Sequence, residues 1–168
     1  MSVPSQINST KTYIGRFAPS PTGPLHLGSL ITAVASYIDA KANKGLWLVR
    51  IEDLDPPREP PKAADEILIQ LKRLGLEWDG KVLYQSTRST FYQEALDLLI
   101  ERGLCFKCDC TRPRVKAMGS VYDGFCRERS VPSENEFAIR LKTESIEIGF
   151  EDLIQGYFQQ NIRKEVGD

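Results

Sequence analysis

Histidine is almost absent from the sequence, since His26 is the only one in 168 residues. This excludes a metal site built from several histidines. It also excludes a Ser-His-Asp triad together with a second functional histidine, so His26 acts without another histidine. Long apolar runs are also missing. No stretch approaches the ~18–20 consecutive apolar residues of a membrane helix, and the first residues lack the basic-then-apolar layout of a signal peptide. We therefore expect a cytoplasmic protein with no membrane partner.

Neither sign of charge is in excess. The 22 lysines and arginines and the 23 acidic residues give a net charge of -1, so a nucleic acid would have to meet a local basic face, and DNA binding is not expected. Hydrophobic residues make up 41% and charged residues 27% of the chain, close to the average of globular proteins. The length fits one compact domain with a small insertion, because domains commonly run ~100–200 residues. We expect a monomer.

The first part of the chain is predicted to form a strand, a helix and a strand. Residues 13–17 indicate a short strand, and the loop that follows is dense in proline and glycine. The run Leu46–Ile51 is typical of a buried strand. Strand, helix and strand within about 40 residues predict an α/β fold, with a βαβ unit and a right-handed crossover on a parallel sheet. The helix is indicated by apolar residues at helical spacing, namely Leu27, Leu30 or Ile31, Val34 and Ile38.

The remaining elements are less regular. Helices are predicted over residues 63–74 and 91–103, and a short strand over residues 82–84. Residues 137–142 alternate like a strand, with residues 146–154 as a candidate pairing partner. Between them, residues 104–132 show little periodicity and are rich in cysteine and arginine, as expected of an insertion that is held by something other than an apolar core.

One fifteen-residue string, from Gly15 to Ser29, carries most of the chemical information: GRFAPSPTGPLHLGS. A glycine at a helix start, here Gly28, lets a ligand approach the backbone, and the helix N-terminus offers free N–H groups to phosphates. His26 could donate to a phosphate oxygen as charge builds in a transition state. Taken alone, His-x-Gly is a short motif, and an ordinary loop with a packed histidine is the alternative interpretation.

The complete string resembles the first signature of class I aminoacyl-tRNA synthetases, the His-Ile-Gly-His type motif, in its glutamyl and glutaminyl form, Arg-Phe-Ala-Pro-Ser-Pro-Thr-Gly. The four residues from His26 to Ser29 match that motif, with Ser29 in place of the second histidine. The resemblance implies a Rossmann-like nucleotide-binding domain that activates an amino acid with ATP and Mg²⁺. It implies His26, Gly28 and Ser29 as catalytic residues, and the same three with Pro19 as ATP-binding residues.

Carboxylates follow directly on the predicted strand Leu46–Ile51. In open α/β sheets ligands bind outside the carboxyl ends of the strands, so Glu52 should face the same crevice as Arg16 and Ser20. A capped strand end with solvated acids is the alternative. The stretch Arg-Ile-Glu-Asp-Leu-Asp resembles the family's Arg-Ile-Glu-Asp-Thr-Asp, which implies that Glu52 holds the α-amino group of glutamate and that Arg16 anchors a carboxylate. The implied glutamate-binding set is Arg16, Phe17, Ala18, Pro19, Ser20 and Glu52.

All four cysteines lie in one short window: Cys105, Cys108, Cys110 and Cys126. In a reducing compartment such clustering favours a metal site over disulfides. Thiolates in a segment with little core of its own favour structural zinc, which takes four ligands in a tetrahedron. A count of residue types alone would choose all four cysteines, and a set of reduced cysteines without metal is the alternative.

The pattern Cys-x-Cys, then Tyr122, then Cys126 resembles the zinc-bearing insertion of the glutamyl-Q tRNA(Asp) synthetase family. The resemblance implies one structural Zn²⁺ bound by Cys108, Cys110, Tyr122 and Cys126, with Cys105 left as a free or competing thiol. Four protein ligands leave no open position for water, so the site would not be catalytic. Basic residues near the cysteines are a candidate face for a tRNA acceptor end, with a solvated charged surface as the alternative. They are Arg112, Arg114, Lys116, Arg127 and Arg129.

The resemblance covers residues 12–168 and divides the chain into three parts: residues 12–103, the first half of the catalytic domain; residues 104–132, the zinc-binding insertion; and residues 133–168, an acceptor-binding-like continuation. It implies tRNA-independent activation of L-glutamate with ATP and transfer of the glutamyl group to the queuosine base of tRNA(Asp). The family continues into a second half with a Lys-Met-Ser-Lys-Ser loop that has no counterpart in this sequence. We therefore expect an N-terminal part that is inactive alone.

Three other interpretations stay open from the sequence. The chain could be the N-terminal part of a standard glutamyl-tRNA synthetase, whose zinc insertion separates its ligand pairs by a longer stretch. It could be a small-molecule nucleotidylyltransferase, which also uses a His-x-Gly-His type helix start but is not expected to carry the cysteine module. It could also be a non-enzymatic zinc module that binds RNA.

Overall fold

A computed structural model describes residues 12–119, 121–132 and 134–168. The chain divides into two compact units, Met1–Thr90 and Phe91–Asp168. Within the described residues, no helix combines the length and the apolar character that crossing a membrane requires.

The first unit is a three-stranded parallel sheet with helices in its connections. Its elements are β1 (Ile14–Phe17), α1 (Leu27–Ala42), β2 (Leu46–Ile51), α2 (Ala63–Arg73) and β3 (Leu83–Tyr84). The strand order is β1-β2-β3, and both neighbouring pairs are parallel. The predicted βαβ unit and parallel sheet are confirmed, and α2 supplies a second crossover between β2 and β3.

Trp47 lies at the centre of the core of the first unit. Its side chain is fully buried, and its ring stacks on Phe17 with centroids 6.2 Å apart and meets Tyr37 edge-on at 5.2 Å. The indole Nε1 donates to Ser36 Oγ at 3.0 Å, which satisfies the polar atom of the buried ring. One side chain of β2 thus contacts both α1 and Phe17, the last residue of β1, from which the loop to α1 leaves.

The buried residues of helix α1 are small, and Tyr37 is the large side chain of the helix that packs against Trp47. A Cβ at Gly15 would lie 2.8 Å from Ala40 Cβ, so the glycine lets the helix approach β1 closely. Ala33 and Ala40 are its buried residues. The helix was predicted correctly, and of the side chains that indicated it Leu30 is half-buried, but four are exposed, at 73%, 60%, 38% and 60%. They are Leu27, Ile31, Val34 and Ile38.

The second unit contains two antiparallel strand pairs. Helix α3 (Ser89–Glu101) begins at the unit boundary, and β4 (Cys105–Cys108), α4 (Arg112–Ala117), β5 (Ala138–Leu141), β6 (Glu147–Asp152), β7 (Gly156–Asn161) and α5 (Ile162–Glu165) follow. β4 pairs with β5, and β6 pairs with β7.

The pairing of residues 146–154 with the strand at residues 137–142 was wrong. The reason is a tight turn after β6, where Asp152 Oδ1 accepts hydrogen bonds from the backbone N–H groups of Ile154 (2.9 Å) and Gln155 (2.8 Å). Gly156 completes the turn with φ of 81°. This turn pairs β6 with β7 in a local hairpin, and β5 takes β4, about thirty residues earlier in the chain, as its partner.

Candidate active site and metal centre

The loop between β1 and α1 is fastened at two points. Near its start, the Glu52 backbone N–H donates to the Pro19 carbonyl at 3.0 Å, and near its end the Leu25 N–H donates to Gln70 Oε1 on α2 at 2.9 Å. Because β1 and β2 are parallel, the loop lies at the edge where both strands end. Sequence reasoning missed Gln70, which no local pattern distinguishes from a surface residue of an amphipathic helix.

This loop and the first turns of α1 enclose a cavity of about 320 Å³. Six of the nine residues predicted for substrate binding and catalysis line it: Phe17, Ala18, Pro19, Ser20, His26 and Ser29. Arg16, Gly28 and Glu52 lie outside the lining, although Arg16 and Glu52 adjoin lining residues through Phe17 and Pro19. The structure therefore brings most of the predicted residues to one concave site.

His26 caps α1 through its own side chain. The imidazole Nδ1 accepts a hydrogen bond from the Ser29 N–H at 3.3 Å, and Nε2 lies 3.1 Å from Ser29 Oγ. Because Nδ1 is an acceptor, the neutral ring carries its proton on Nε2, which donates to Ser29 Oγ. A Cβ at Gly28 would lie 3.1 Å from His26 Cε1, so the glycine also gives the imidazole room to lie over the first turn.

The two charged residues predicted to bind glutamate differ in their surroundings. Arg16 is exposed, and its guanidinium makes no hydrogen bond or ion pair with the described part of the chain. Glu52 is half-buried, and its Oε1 pairs with Arg50 Nη2 at 2.5 Å. Arg16 is thus an available cation, whereas Glu52 has only its second carboxylate oxygen to offer a ligand.

Asp53, the neighbour of Glu52, is engaged in structure. Its Oδ1 accepts from the Ser86 N–H at 3.0 Å and its Oδ2 from the Ser86 hydroxyl at 2.5 Å. Burial acts to raise the pKa of Asp53, but the hydrogen bonds from Ser86 outweigh it and hold the pKa below its ordinary value. This carboxylate therefore ties the turn after β3 to the end of β2.

In the second unit, three thiols and one hydroxyl converge. The Sγ atoms of Cys108, Cys110 and Cys126 lie within 4.8 Å of one another, and the Tyr122 hydroxyl is 3.4 Å from the first sulfur and 3.6 Å from the second. A tetrahedral zinc ion with sulfur ligands at ~2.3 Å and an oxygen at ~2.0 Å would put sulfur and oxygen ~3.5 Å apart. The donor set and its spacing therefore fit zinc.

Cys105 lies outside this group. It is the first residue of β4, opposite Leu141, whereas Cys108 is the last residue of the same strand. Choosing all four cysteines by residue type would have included one thiol that lies outside the cluster, whereas the Tyr122 hydroxyl lies within 3.6 Å of two of its sulfurs.

The thiol cluster is held together by hydrogen bonds. The Cys126 N–H donates to the Tyr122 hydroxyl at 2.9 Å. The sulfur atoms of Cys110 and Cys126 are 3.5 Å apart. Burial acts to raise the pKa of Cys108, but hydrogen bonds, first from Tyr122, lower it to about 7. Burial, together with the neighbouring thiols, raises the pKa of Tyr122. These hydrogen bonds therefore favour the thiolate form of Cys108, which is the form that binds a metal ion.

The predicted basic face around the cysteines is largely neutralised. Ion pairs join Arg114 to Asp123 (2.8 Å), Arg127 to Asp168 (2.9 Å) and Arg129 to Asp109. The two remaining members, Arg112 and Lys116, make no side-chain hydrogen bond or ion pair with the described residues. Only these two offer uncommitted positive charge, both from α4.

The sequence matches a family model described as "tRNA synthetases class I (E and Q), catalytic domain" over residues 13–162. The glutamyl-Q tRNA(Asp) synthetase of Klebsiella pneumoniae (strain 342) is 56% identical over 144 residues, which cover 86% of this chain and 49% of that protein. The glutamyl-Q tRNA(Asp) synthetase of Pseudomonas putida (strain W619) is 49% identical over 156 residues, which cover 93% and 52%. The chain spans about half the length of these curated relatives.

Solved structures agree with the sequence comparison. The crystal structure of glutamate-tRNA synthetase from Elizabethkingia anophelis matches with a TM-score of 0.79 and 27% identity, over 94% of this chain and 38% of that one. The predicted Rossmann-like fold and the resemblance to the synthetase family are confirmed, while the roles of single residues and the domain boundaries stay predictions. The chain therefore belongs to the class I tRNA synthetases of the glutamate and glutamine type, through the catalytic domain of that family.

Proposed function

We propose that the chain carries the part of a glutamyl-Q tRNA(Asp) synthetase that binds L-glutamate and ATP. In the whole protein, the glutamate carboxylate would join the α-phosphate of ATP with release of pyrophosphate, and the glutamyl group would pass to the queuosine base of tRNA(Asp). The observation that carries the proposal is the cavity of about 320 Å³ between the fastened loop and the first turns of α1. The relatives at 49–56% identity support glutamyl-Q tRNA(Asp) synthetase in particular.

Glutamate binding would use the charges beside this cavity. The exposed guanidinium of Arg16 is free to form a two-pronged hydrogen bond with a carboxylate. Glu52 has one carboxylate oxygen on Arg50, and the other can accept from the α-amino group. Ser20, which lies between Arg16 and Glu52 in the sequence, lines the cavity and adds a hydroxyl group. A cation and an anion near one cavity match an amino acid that carries both charges.

ATP binding would use the start of α1. The first N–H groups of the helix, at Leu27 and Gly28, have no partner within the helix and favour a phosphate. The His26 Nε2–H now donates to Ser29 Oγ and can turn to a phosphate oxygen on which charge builds as the bond to pyrophosphate breaks. Mg²⁺ bound with ATP would offset the charge of the remaining phosphate oxygens. The residues of this chain thereby position the two reactants and stabilise charge.

One structural Zn²⁺ would complete the second unit, with Cys108, Cys110, Tyr122 and Cys126 as its ligands. The Tyr122 hydroxyl lies 3.4 Å from the Cys108 sulfur and 3.6 Å from the Cys110 sulfur, and the sulfurs of Cys110 and Cys126 are 3.5 Å apart, which supports a tetrahedral set. All four positions are then taken by protein atoms, so the ion would hold the fold and would not activate water.

Direct binding of glutamate to the chain tests this proposal. We expect calorimetry to detect glutamate binding that Arg16→Ala abolishes, with Arg112→Ala, an equal loss of charge outside the cavity, as the matched control. The chain spans half of its relatives and contains no Lys-Met-Ser-Lys-Ser type segment, so we expect no glutamate-dependent ATP–pyrophosphate exchange from it alone. If the chain alone catalyses exchange, the expectation that it is inactive is wrong. If it binds neither glutamate nor ATP, the proposed function is wrong.

A standard glutamyl-tRNA synthetase is the second candidate, because solved glutamate-tRNA synthetases match the fold at TM-scores of 0.79 and 0.77. The whole protein distinguishes the two through its acceptor. Glutamylation of tRNA(Asp) that carries queuosine, without glutamylation of tRNA(Glu), supports the first proposal, and the reverse result supports the second. A non-enzymatic RNA-binding module would instead bind tRNA after His26→Ala and lose that binding with a chelator.

A further inference from the structure

Three arginines lie beside the thiol cluster of the second unit, each next to a different thiol. Arg129 Nη2 donates to Cys126 Sγ at 3.3 Å. Interaction with Cys110 raises the pKa of Arg114. The guanidinium carbon of Arg140 lies 3.9 Å from the centre of the Tyr122 ring, and Arg140 acts to lower the pKa of Cys108. Every donor of the candidate metal centre thus has a guanidinium beside it.

Phe125 separates two of these arginines. The guanidinium carbon of Arg114 lies 4.2 Å from the centre of the Phe125 ring and that of Arg129 lies 5.0 Å from it. Phe125 directly precedes Cys126 in the chain, and its ring is 54% exposed. An exposed aromatic ring in contact with two cations is more than a packing residue, because cation–π contact restricts where both guanidinium groups can lie.

Carboxylates hold the same two arginines from the other side. Asp123 pairs with Arg114 at 2.8 Å and accepts from the Phe125 N–H at 3.0 Å. Asp109 pairs with Arg129 and is itself held by Asn135 Nδ2 at 2.9 Å. The two guanidinium groups are therefore oriented by ring and carboxylate together.

Arg129 also bridges two groups that can both carry negative charge, the carboxylate of Asp109 and the thiol of Cys126. Asp109 Oδ1 lies 3.5 Å from Cys126 Sγ, so deprotonation of this thiol by a metal ion leaves two negative groups at that distance. Arg129 Nη2 contacts both atoms and offsets their repulsion. Three thiolates around a divalent ion leave one net negative charge in a largely buried cluster, which is costly unless cations lie close by.

We propose that Arg114 and Arg129 are positioning residues of the metal centre, which hold the thiolates of Cys110 and Cys126 and compensate their charge, with Phe125 as the spacer between them. The inference rests on the proposed zinc site, but it assigns residues that neither the cysteine spacing nor the family signature contains. Loss of a residue that hydrogen-bonds a metal ligand typically lowers metal affinity about 10–100-fold.

Zinc release tests the proposal directly. The chain loaded with one equivalent of Zn²⁺ is mixed with an excess of a chromogenic chelator, and the rate of release is followed. We expect Arg129→Gln and Arg114→Gln to release zinc at least about tenfold faster than the unaltered chain. Arg112→Gln is the matched control, because it removes the same charge from α4 without touching a thiol, and it should release zinc at the unaltered rate.

Two further variants separate the physical terms. In Arg129→Gln, the Asp109 carboxylate faces Cys126 with no cation beside it. Adding Asp109→Asn to this variant removes that negative charge, so zinc release should become slower again. Phe125→Ala should accelerate release although it changes no charge. The absorption spectrum of the Co²⁺-loaded variants checks that three thiolates still bind, which separates a weakened centre from a misfolded chain.

The outcomes distinguish this inference from the proposed function. If the unaltered chain binds no zinc, this inference and the proposed zinc site are both wrong, whereas the proposed binding of glutamate and ATP by the first unit stands or falls by its own test. If it binds zinc and both arginine variants release it at the rate of Arg112→Gln, the zinc site stands and the positioning role is overturned. Equal acceleration by Arg112→Gln would also overturn it, because net charge alone would then explain the effect.

Discussion

Loss of the Tyr122 hydroxyl is the sharpest perturbation of the metal centre. In Tyr122→Phe the ring keeps its contacts with Phe106, at 6.4 Å between centroids, and with Arg140, so the packing of the module should persist. Two functions of the hydroxyl are lost: it can no longer bind a metal ion, and it no longer accepts from the buried Cys126 N–H at 2.9 Å. We expect weaker zinc binding from both losses.

The second loss adds to the effect where the metal-free module does not keep the same hydrogen bond. A buried donor left without its acceptor costs about 1–3 kcal/mol, which corresponds to about 5- to 150-fold in the dissociation constant if the cost falls on the metal-bound state. The loss of one of four ligands adds to this. A water molecule can enter the vacated position and replace part of the coordination, so binding through the three thiolates should be weakened and not abolished.

Competition with a chelator of known affinity measures this change, and Co²⁺ spectra report the ligand set. Tyr122→Phe should keep the thiolate-to-cobalt absorption while the bands that depend on tetrahedral geometry lose intensity. Cys105→Ser is the matched control, because Cys105 lies outside the cluster and its loss should leave affinity and spectrum unchanged. A loss of zinc in Cys105→Ser with none in Tyr122→Phe would refute the assignment of Tyr122 and restore the four-cysteine alternative.

Three further variants test the first unit. Gly28→Ala should lower stability by about 1 kcal/mol, the typical value of a helix cap, and weaken ATP binding, since the new Cβ meets the His26 ring at 3.1 Å; unchanged ATP binding by calorimetry would contradict this. Arg16→Ala should abolish glutamate binding and leave the melting temperature unchanged, because the side chain has no partner among the described residues; a drop in melting temperature would assign it a structural role instead. The Lys41 hydrogen bond lowers the pKa of Asp79, so its stabilisation is complete above the ordinary carboxyl pKa and is lost as the pH falls through the lower folded value. The difference in unfolding free energy between Asp79→Asn and the unaltered chain should therefore shrink between pH 7 and about pH 2, and a constant difference would contradict the shift.

The first unit was largely predictable from the sequence because its signals are local. The apolar run that predicted β2 matches Leu46–Ile51, and the proline- and glycine-rich string was correctly placed between strand and helix. The two contacts that shape the loop were not predictable, since Glu52 to Pro19 and Gln70 to Leu25 join residues far apart in the chain. Most of the apolar side chains whose spacing indicated α1 are exposed, and small residues, Gly15 and Ala40, make the close contact between the sheet and the helix.

In the second unit, spacing in the sequence could not choose among the cysteines, but strand geometry does. Successive side chains of a strand alternate between its faces, so Cys105 and Cys108, three positions apart on β4, point to opposite sides. The strand itself went unpredicted because the segment has few apolar residues, and its partner β5 lies some thirty residues later in the chain. The arginines beside the thiols carried a signal of charge only, and their contacts with Phe125 and the carboxylates depend on the folded loop.

The two candidate sites depend on different sources of stability. The loop of the first unit is anchored to strands that a conventional apolar core supports, with Trp47 and Ile51 fully buried in β2. In the second unit, the buried residues around the metal centre are themselves the donors, Cys108, Tyr122 and Cys126. If these donors bind an ion, metal binding is coupled to the folding of the module, and the ion would contribute directly to its stability. Release of the metal should therefore remove the core of this module, whereas the core that supports the glutamate and ATP residues contains no metal ligand and does not depend on the ion.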